Sequence, residues 1–303
     1  MGDIRLAPGV WGVLATPFTG PDLELDRPSL TRLAGHLEDA GATGLTVLGV
    51  FGEAARLSVA ERATVLATVV DAVALPLVVG ATSLATAPLL EEVRAAQDVA
   101  GDRLAAVMVQ VHSPSADVLR AHLQAVHDAT GAAVVVQDYP VASGVRIGGA
   151  DLARALTGLP FVAAVKAESP PTAAAVAGLT AALDVPVFGG LGGLGLLDEL
   201  AVGAAGAMTG FSFPEGLVAC VQAWRRGGFP AAREAFAPFL PLIAFEQQPG
   251  IAIRKEIYRL RGLLRNSRVR HPGAQLAAST EEQLHAVMAR VLPGIDITRP
   301  LAL

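Results

Sequence analysis

The stretch FVAAVKAE, residues 161–168, is an apolar run of the kind that predicts a buried strand, and it carries one lysine near its end. Its apolar residues are nearly continuous instead of alternating with polar ones, which is typical of a parallel strand covered on both faces. Seven similar runs occur along the chain: WGVLATPF, GLTVLGVF, PLVVGATS, LAAVMVQV, AVVVQDYP, VPVFGGLG and GAMTGFSF. The sequence therefore contains eight strand candidates.

Longer helical patterns separate these runs. Those with the clearest end signals, a capping side chain, a glycine or a proline, cover residues 26–40, 58–73, 88–100 and 115–130. Eight strand–helix units that repeat at about 20–30 residues predict a TIM (β/α)8 barrel, a fold of about 250 residues. A doubly wound sheet is the alternative, because spacing alone does not show closure.

From Pro214 onward the pattern is helical only, in EGLVACVQAWRRG, PAAREAFAPFLPLIAFEQQ, GIAIRKEIYRLRGLL and TEEQLHAVMARVL. No linker rich in serine, glycine or charge precedes these stretches. We therefore expect a barrel over residues 1–225 and a C-terminal helical extension, residues 226–303, that packs on the barrel or builds a subunit contact.

Composition excludes several classes of protein. The 303 residues are 52% hydrophobic and 17% charged, which favours a compact globular chain over a disordered one. The net charge of −5 leaves no basic footprint for nucleic acid. The start of the chain lacks a signal peptide pattern and no apolar run is long enough to span a membrane, so the expected compartment is the cytoplasm. Cys220, the single cysteine, is expected in the core.

Lys166 is the first catalytic candidate. Lys166 and Lys255 are the only lysines, since arginine supplies nearly all of the 23 basic residues. Lys166 lies near the carboxyl end of the sixth strand candidate, on the face where TIM barrels build their active sites. Burial favours the neutral form of an amine, which can attack a carbonyl carbon and form a Schiff base. The alternative is a structural pair with Glu168, which shares the same strand face.

Two other patterns are weaker candidates. GLGGLG, residues 190–195, matches a dinucleotide-binding motif, but only one strand candidate remains after it, whereas that fold needs most of its sheet there. We expect instead that these glycines let the seventh strand approach a ligand. His122 and His127 are five residues apart, which does not fit a metal pair on one helix face. His112, at the end of the fourth strand candidate, faces either the site or solvent.

Four motifs carry a resemblance to a known family: GVLATPF at residues 12–18, GVFGEAARLS at 49–58, VKAES at 165–169 and GAAGAMTG at 203–210. With them the chain resembles the dihydrodipicolinate synthase and N-acetylneuraminate lyase family of TIM-barrel class I aldolases, over nearly its whole length. The resemblance implies that Lys166 forms an imine with pyruvate or another 2-oxo acid. It implies no metal or organic cofactor, and a homodimer or homotetramer.

The chain departs from the family pattern at its binding residues. Val50 and Phe51, after Gly49, replace two hydroxyl residues that hold the carboxylate of the 2-oxo acid, which leaves backbone N–H groups and a less polar pocket. Gln137 replaces a proton-relaying tyrosine, and an amide neither accepts nor releases a proton near neutral pH. Tyr139, two residues later on the same strand face, is a partial substitute.

A narrower resemblance, carried by VQDYP, VKAES, GAMTGFSFPEG and RVRHPG, points to the branch of 2-keto-3-deoxy sugar-acid dehydratases, which also lack that tyrosine. It implies dehydration or aldol cleavage of a 2-oxo acid, with Glu168 as the base. Thr209 either positions the substrate or caps a strand end, and Gly190 lies close to the ligand. The missing tyrosine and hydroxyls favour one alternative, a non-catalytic descendant that binds a small carbonyl compound or has a structural role.

Overall fold

The computed structural model describes residues 4–248 and 250–301, and its principal sheet is a closed parallel barrel. The barrel strands are β1 Gly9–Val13, β2 Gly44–Val47, β3 Leu77–Ala81, β4 Leu104–Gln110, β5 Val134–Asp138, β6 Val162–Ala167, β7 Val187–Gly189 and β8 Gly206–Thr209. Each strand pairs with its neighbours in chain order, and β1 pairs with both β2 and β8. The predicted TIM barrel is confirmed, because a doubly wound sheet is open.

Helices cover the outside of the barrel. They are α1 Arg27–Asp39, α2 Val59–Ala72, α3 Thr86–Ala100, α4 Ala116–Thr130, α5 Gly149–Leu156, α6 Thr172–Ala182 and α7 Leu196–Ala201. The polar residues predicted to start three of them act as caps: Asp26, Ser58 and Ser115 each accept a hydrogen bond from a backbone N–H of the first turn. Shorter pieces are a hairpin, Phe18–Thr19 with Glu24–Leu25, a helical turn, Pro140–Ser143, and four 3-10 turns, Ala54–Arg56, Gly101–Arg103, Leu191–Gly193 and Ala237–Phe239.

Both faces of the strands are packed, which explains their nearly continuous apolarity. Residues that point outward, such as Val136 and Val165, pack with the helices in one cluster. Residues that point inward fill the barrel, among them Trp11, Val13, Val78, Met108, Val135, Phe188 and Met208. Gln137 and Lys166 are register partners near the carboxyl ends of β5 and β6. The barrel interior therefore changes from apolar to polar at this end.

The C-terminal part of the chain is helical, as predicted. Its helices are α8 Pro214–Phe236, α9 Leu240–Phe245, α10 Ile251–Leu260 and α11 Ala278–Val291. The ring of Phe239 contacts Phe211 and Phe213, with centroid distances of 5.9 and 6.3 Å, so this layer shares a core with the end of β8. Cys220 is fully buried in that core. Among the described residues, no helix has the length and apolarity needed to cross a bilayer.

The division expected after residue 225 falls inside α8, just before a kink at Gly227 and Gly228, where the backbone leaves helical geometry. Residues 1–3 of the first part, and 249, 302 and 303 of the second, lie outside the described residues. The division stays a prediction.

Candidate active site

A cavity of about 240 Å³ lies at the carboxyl ends of the barrel strands. Eight of the nine residues singled out from the sequence line it, namely Lys166, Glu168, Gln137, Tyr139, Gly49, Val50, Phe51 and Thr209. The ninth, Gly190, does not line it. On the opposite side the wall comes from the C-terminal helices, through Gln247, Gly250, Ile251 and Arg254. The cavity thus draws on both parts of the chain.

Lys166 extends from β6 into this cavity, and only 8% of its side chain is exposed. Its Nζ lies 3.2 Å from Oε2 of Glu168. Lys166 and Gln137 are paired across β5 and β6, and Phe188 is its partner on β7. The amine is therefore directed at the cavity by strand register and lies within reach of one carboxylate.

Glu168 follows the end of β6 and is held by two further donors. Nε2 of Gln137 donates to its Oε2 at 2.6 Å, and the backbone N–H of Leu191 donates to its Oε1 at 3.2 Å. The Glu168 carboxyl group fills the space that a Cβ would need at Gly190. Gly190 therefore makes room for Glu168, whereas the sequence predicted a direct approach to ligand.

The glycine-rich turn also reaches β8. The backbone N–H of Gly192 donates to Oγ1 of Thr209 at 2.7 Å, and both residues line the cavity. An accepted bond leaves the hydroxyl hydrogen of Thr209 free to donate to a ligand. Gly192 has φ +68°, a conformation that favours glycine, and a Cβ there would collide with Arg254 and Gln247. The turn thus closes the wall between β7, β8 and the C-terminal helices.

Tyr139 lies past the end of β5 and is half-buried. Burial raises the pKa of its hydroxyl, as does Glu168, while Arg254 opposes the shift. The hydroxyl therefore stays protonated near neutral pH and is available as a donor. Tyr139, Glu168 and Arg254 all line the cavity.

Two further carboxyl groups lie behind Glu168. Burial raises the pKa of Asp138 to about 6, and Glu168 adds to this shift while Arg146 opposes it. Burial raises the pKa of Glu199 to about 7; the hydroxyl of Thr172 lowers it, and Glu168 raises it. The Glu199 carboxyl occupies the space that a Cβ would need at Gly189. Carboxyl groups therefore outnumber cationic side chains on the side of the site behind Glu168.

The loop after β2 carries the residues that replace the family's hydroxyls. Val50 and Phe51 both line the cavity. Within residues 4–248 and 250–301, no acceptor is hydrogen-bonded to either backbone N–H. The hydroxyl of Thr46, which also lines the cavity, is buried without a partner among those residues. This corner of the cavity therefore offers hydrogen-bond donors that have no acceptor among the described residues.

Arg254 is a site residue that sequence reasoning missed. Its Nε donates to Oε2 of Glu246 at 3.0 Å, and its Cζ lies 5.3 Å from the centroid of the Phe51 ring. Only 11% of its side chain is exposed. The available signal was a pair of charges, Arg254 and Lys255, directly after three apolar residues at the start of the helix.

His112 is not part of the cavity. Its ring packs against His122 at a centroid distance of 4.1 Å, and Thr86 bonds to Nδ1 of His122 at 2.8 Å. Burial lowers the pKa of both imidazoles, to about 4 for His122. Both rings are therefore neutral at pH 7 and belong to the packing between helices and β4.

Comparisons with known proteins agree with this geometry. A model of the dihydrodipicolinate synthetase family matches residues 7–291. The chain is 32% identical over 301 residues to an L-2-keto-3-deoxyarabonate dehydratase from Azospirillum brasilense, with 94% of each chain covered. It is 32% identical over 280 residues to a 4-hydroxy-tetrahydrodipicolinate synthase from Corynebacterium aurimucosum, with 90% of each covered. A crystal structure of dihydrodipicolinate synthase from Rhodopseudomonas palustris matches with a TM-score of 0.86 and 29% identity, covering 94% of this chain and 97% of that one. These matches confirm the resemblance given above, including its dehydratase branch.

Proposed function

The chain belongs to the dihydrodipicolinate synthetase family, and on that premise we propose that it is a lyase whose Lys166 forms an imine with a 2-oxo acid. The names of its relatives indicate lyase or dehydratase activity. The observation that carries the proposal is the position of Lys166 Nζ, buried at the cavity wall and 3.2 Å from Glu168.

The first step is attack of the neutral amine on the carbonyl carbon C2 of the substrate. Loss of water with uptake of one proton from solvent then gives a protonated imine, which draws electrons away from C3 and acidifies its protons. The backbone N–H groups of Val50 and Phe51 are the proposed ligands of the C1 carboxylate, because both residues line the cavity and neither N–H has an acceptor among the described residues. They take over the task of the hydroxyls that this chain lacks.

The second step is proton transfer from C3. Glu168 is the base, because it is the carboxylate nearest to Nζ and lines the cavity. When it takes the C3 proton, the electrons of that C–H bond form an enamine. Protonated Glu168 gives this proton to the C4 hydroxyl, which leaves as water while the enamine electrons form the C3–C4 double bond and restore the protonated imine. Hydrolysis of the imine then returns Lys166 and releases the dehydrated 2-oxo acid.

Dehydration is favoured over the synthase reaction by two observations. Gln137 occupies the position of the relay tyrosine and donates to Glu168 at 2.6 Å, so it orients the base and carries no proton. The relative from Azospirillum brasilense, similar over 94% of the chain, is named a dehydratase of a 2-keto-3-deoxy sugar acid. We propose this substrate class, a 2-oxo acid with a C3 methylene and a C4 hydroxyl.

Proton NMR of the protein with a panel of 2-keto-3-deoxy sugar acids and of pyruvate with aldehydes tests the proposal. The wild type should dehydrate at least one sugar acid, with loss of the C3 and C4 signals. Lys166→Arg is the matched control, because a guanidinium keeps the charge and forms no imine. Turnover by this variant at the wild-type rate would contradict the proposal.

The second candidate function is non-catalytic binding of a small carbonyl compound or a structural role. The observation that favours it is the replacement of the hydroxyl and tyrosine positions by Val50, Phe51 and Gln137. It predicts saturable binding, or none, without turnover across the same panel. Lysine-dependent turnover of any member excludes it.

Two further expectations stay predictions. One is a homodimer or homotetramer, which sedimentation velocity of the purified chain measures directly. The other is a cytoplasmic location, which fractionation of the source cells measures.

A further inference from the structure

Arg254 places a second cation in the cavity, on the side opposite the barrel. The floor of the cavity comes from strand residues such as Thr46, Met108 and Lys166, whereas Arg254 stands on α10 beside Gln247 and Ile251. A substrate that spans the cavity would therefore have its reacting carbon near Lys166 and its far end near Arg254.

The guanidinium is held in place by groups that leave most of its donors open. Glu246, with no exposed side-chain surface, accepts from Nε at 3.0 Å. The Phe51 ring faces Cζ at 5.3 Å, and Nη2 lies against Gly192. Among the described residues, neither Nη1 nor Nη2 donates to an acceptor. A guanidinium has five N–H donors, so the two terminal nitrogens of this cavity-lining residue keep donors available for a ligand.

We propose that Arg254 binds a second carboxylate at the far end of the substrate, so that this lyase acts on a dicarboxylic 2-oxo acid. The inference rests on the proposed imine function. A carboxylate matches the paired N–H groups of a guanidinium in a bidentate contact. The backbone N–H groups of Val50 and Phe51, which line the cavity and have no acceptor among the described residues, are available for the C1 carboxylate, so Arg254 is not needed there.

The surroundings of Arg254 fit a carboxylate better than an apolar or hydroxylated end. Tyr139 lines the same cavity and adds a hydroxyl donor. A cavity of about 240 Å³ accommodates a small acid rather than a large ligand. An apolar substrate end would leave the terminal N–H groups buried without acceptors, which is unfavourable.

Borohydride reduction tests the proposal with two acids of equal length, 2-oxoadipate and 2-oxohexanoate, which differ in a terminal carboxylate or methyl group. Intact-mass spectrometry gives the fraction of protein that carries the reduced adduct at each concentration. We expect half-saturation at a concentration about 10-fold or more lower for 2-oxoadipate, because charge-assisted hydrogen bonds are strong in a buried site. Arg254→Gln should remove this preference, chiefly by raising the half-saturation concentration of 2-oxoadipate.

Two further variants serve as controls. Arg259→Gln changes an arginine of the same helix that pairs with Glu256 and does not line the cavity, so it should keep the wild-type preference. Arg254→Lys keeps the charge and should keep part of it. Equal half-saturation of the two acids in the wild type, or a preference that survives Arg254→Gln, would overturn the inference while leaving the imine intact. A wild type that forms no adduct with either acid or with pyruvate would overturn both the inference and the proposed function.

Discussion

Lys166 and Lys255, the two lysines of the chain, are both buried beside a glutamate, and their surroundings differ in what else reaches the amine. Lys166 Nζ lies 3.2 Å from Glu168 and lines the cavity. Lys255 Nζ lies 2.5 Å from Glu53, and its side chain has no exposed surface. The first amine has open space for a substrate, whereas the second is enclosed.

The amine of Lys255 has further partners besides Glu53. Its amine also donates to the carbonyl oxygen of Arg268 at 2.9 Å and faces the Phe18 ring, 4.4 Å from the centroid. Glu53 in turn accepts from Arg56 and from the backbone N–H of Arg270, both at 2.9 Å. This cluster joins the loop after β2 to the C-terminal helices. Lys255 therefore stabilises the arrangement that holds Arg254 at the cavity.

A buried lysine with a lowered pKa is not by itself a nucleophile, as Lys255 shows. Burial lowers the pKa of Lys255 to about 8, and Glu53 opposes this shift. An amine of that pKa would suit imine formation, yet no substrate can reach it. Access to a cavity distinguishes Lys166.

Glu168→Gln, in the Lys166 cavity, is the change with the largest expected effect on activity. The amide keeps the size of the side chain but does not take the C3 proton. We expect kcat to fall by about 10²–10⁴-fold, the usual contribution of a general base. Borohydride adducts on Lys166 should still form with pyruvate. Steady-state kinetics together with adduct mass separates the two steps, and an unchanged kcat would contradict the role given to Glu168.

Lys255→Met probes the enclosed side. Removing one partner of a buried ion pair leaves Glu53 with the Arg56 and Arg270 contacts only, and we expect the free energy of unfolding to fall by about 3 kcal/mol. Urea unfolding followed by circular dichroism measures this loss. The control is Arg154→Met; the Arg154 side chain is 57% exposed and pairs with exposed Asp117 and Asp151, so the expected change is small. Imine formation on Lys166 should persist in the folded variant. Its loss would mean that the role of Lys166 depends on Lys255.

Glu199→Gln tests the protonation state of a buried carboxyl group in the region around Lys166. Native Glu199 holds its proton up to about pH 7, whereas the unfolded chain releases it near 4.5. Because the native state binds more protons in this window, the contribution of Glu199 to stability falls as pH rises through it. The variant is neutral at every pH in this range. Its free energy of unfolding, relative to that of the wild type, should therefore rise by about 3 kcal/mol between pH 4 and pH 8. Parallel stability curves for the two proteins would contradict this account.

Sequence patterns predicted the barrel and its lysine because both depend on local order. Eight apolar runs define the strands, and alternation along β6 places Lys166 and Glu168 on one face. Arg254 was not predictable in this way, because α10 reaches the cavity only through tertiary packing. The role of Gly190 was missed for a similar reason, since spacing does not show which side chain fills the space beside a glycine. The scarcity of lysine was a weak guide, because Lys255 is equally scarce and is enclosed.

The most direct measurement is peptide mapping of the protein after borohydride reduction with pyruvate. With two lysines in the chain, the position of the adduct has a clear outcome. We predict one reduced pyruvyl group, on the peptide that contains Lys166, and none on Lys255. An adduct on Lys255, or a Lys166 peptide that stays unmodified under saturating pyruvate, would contradict the assignment of Lys166 as the imine-forming residue.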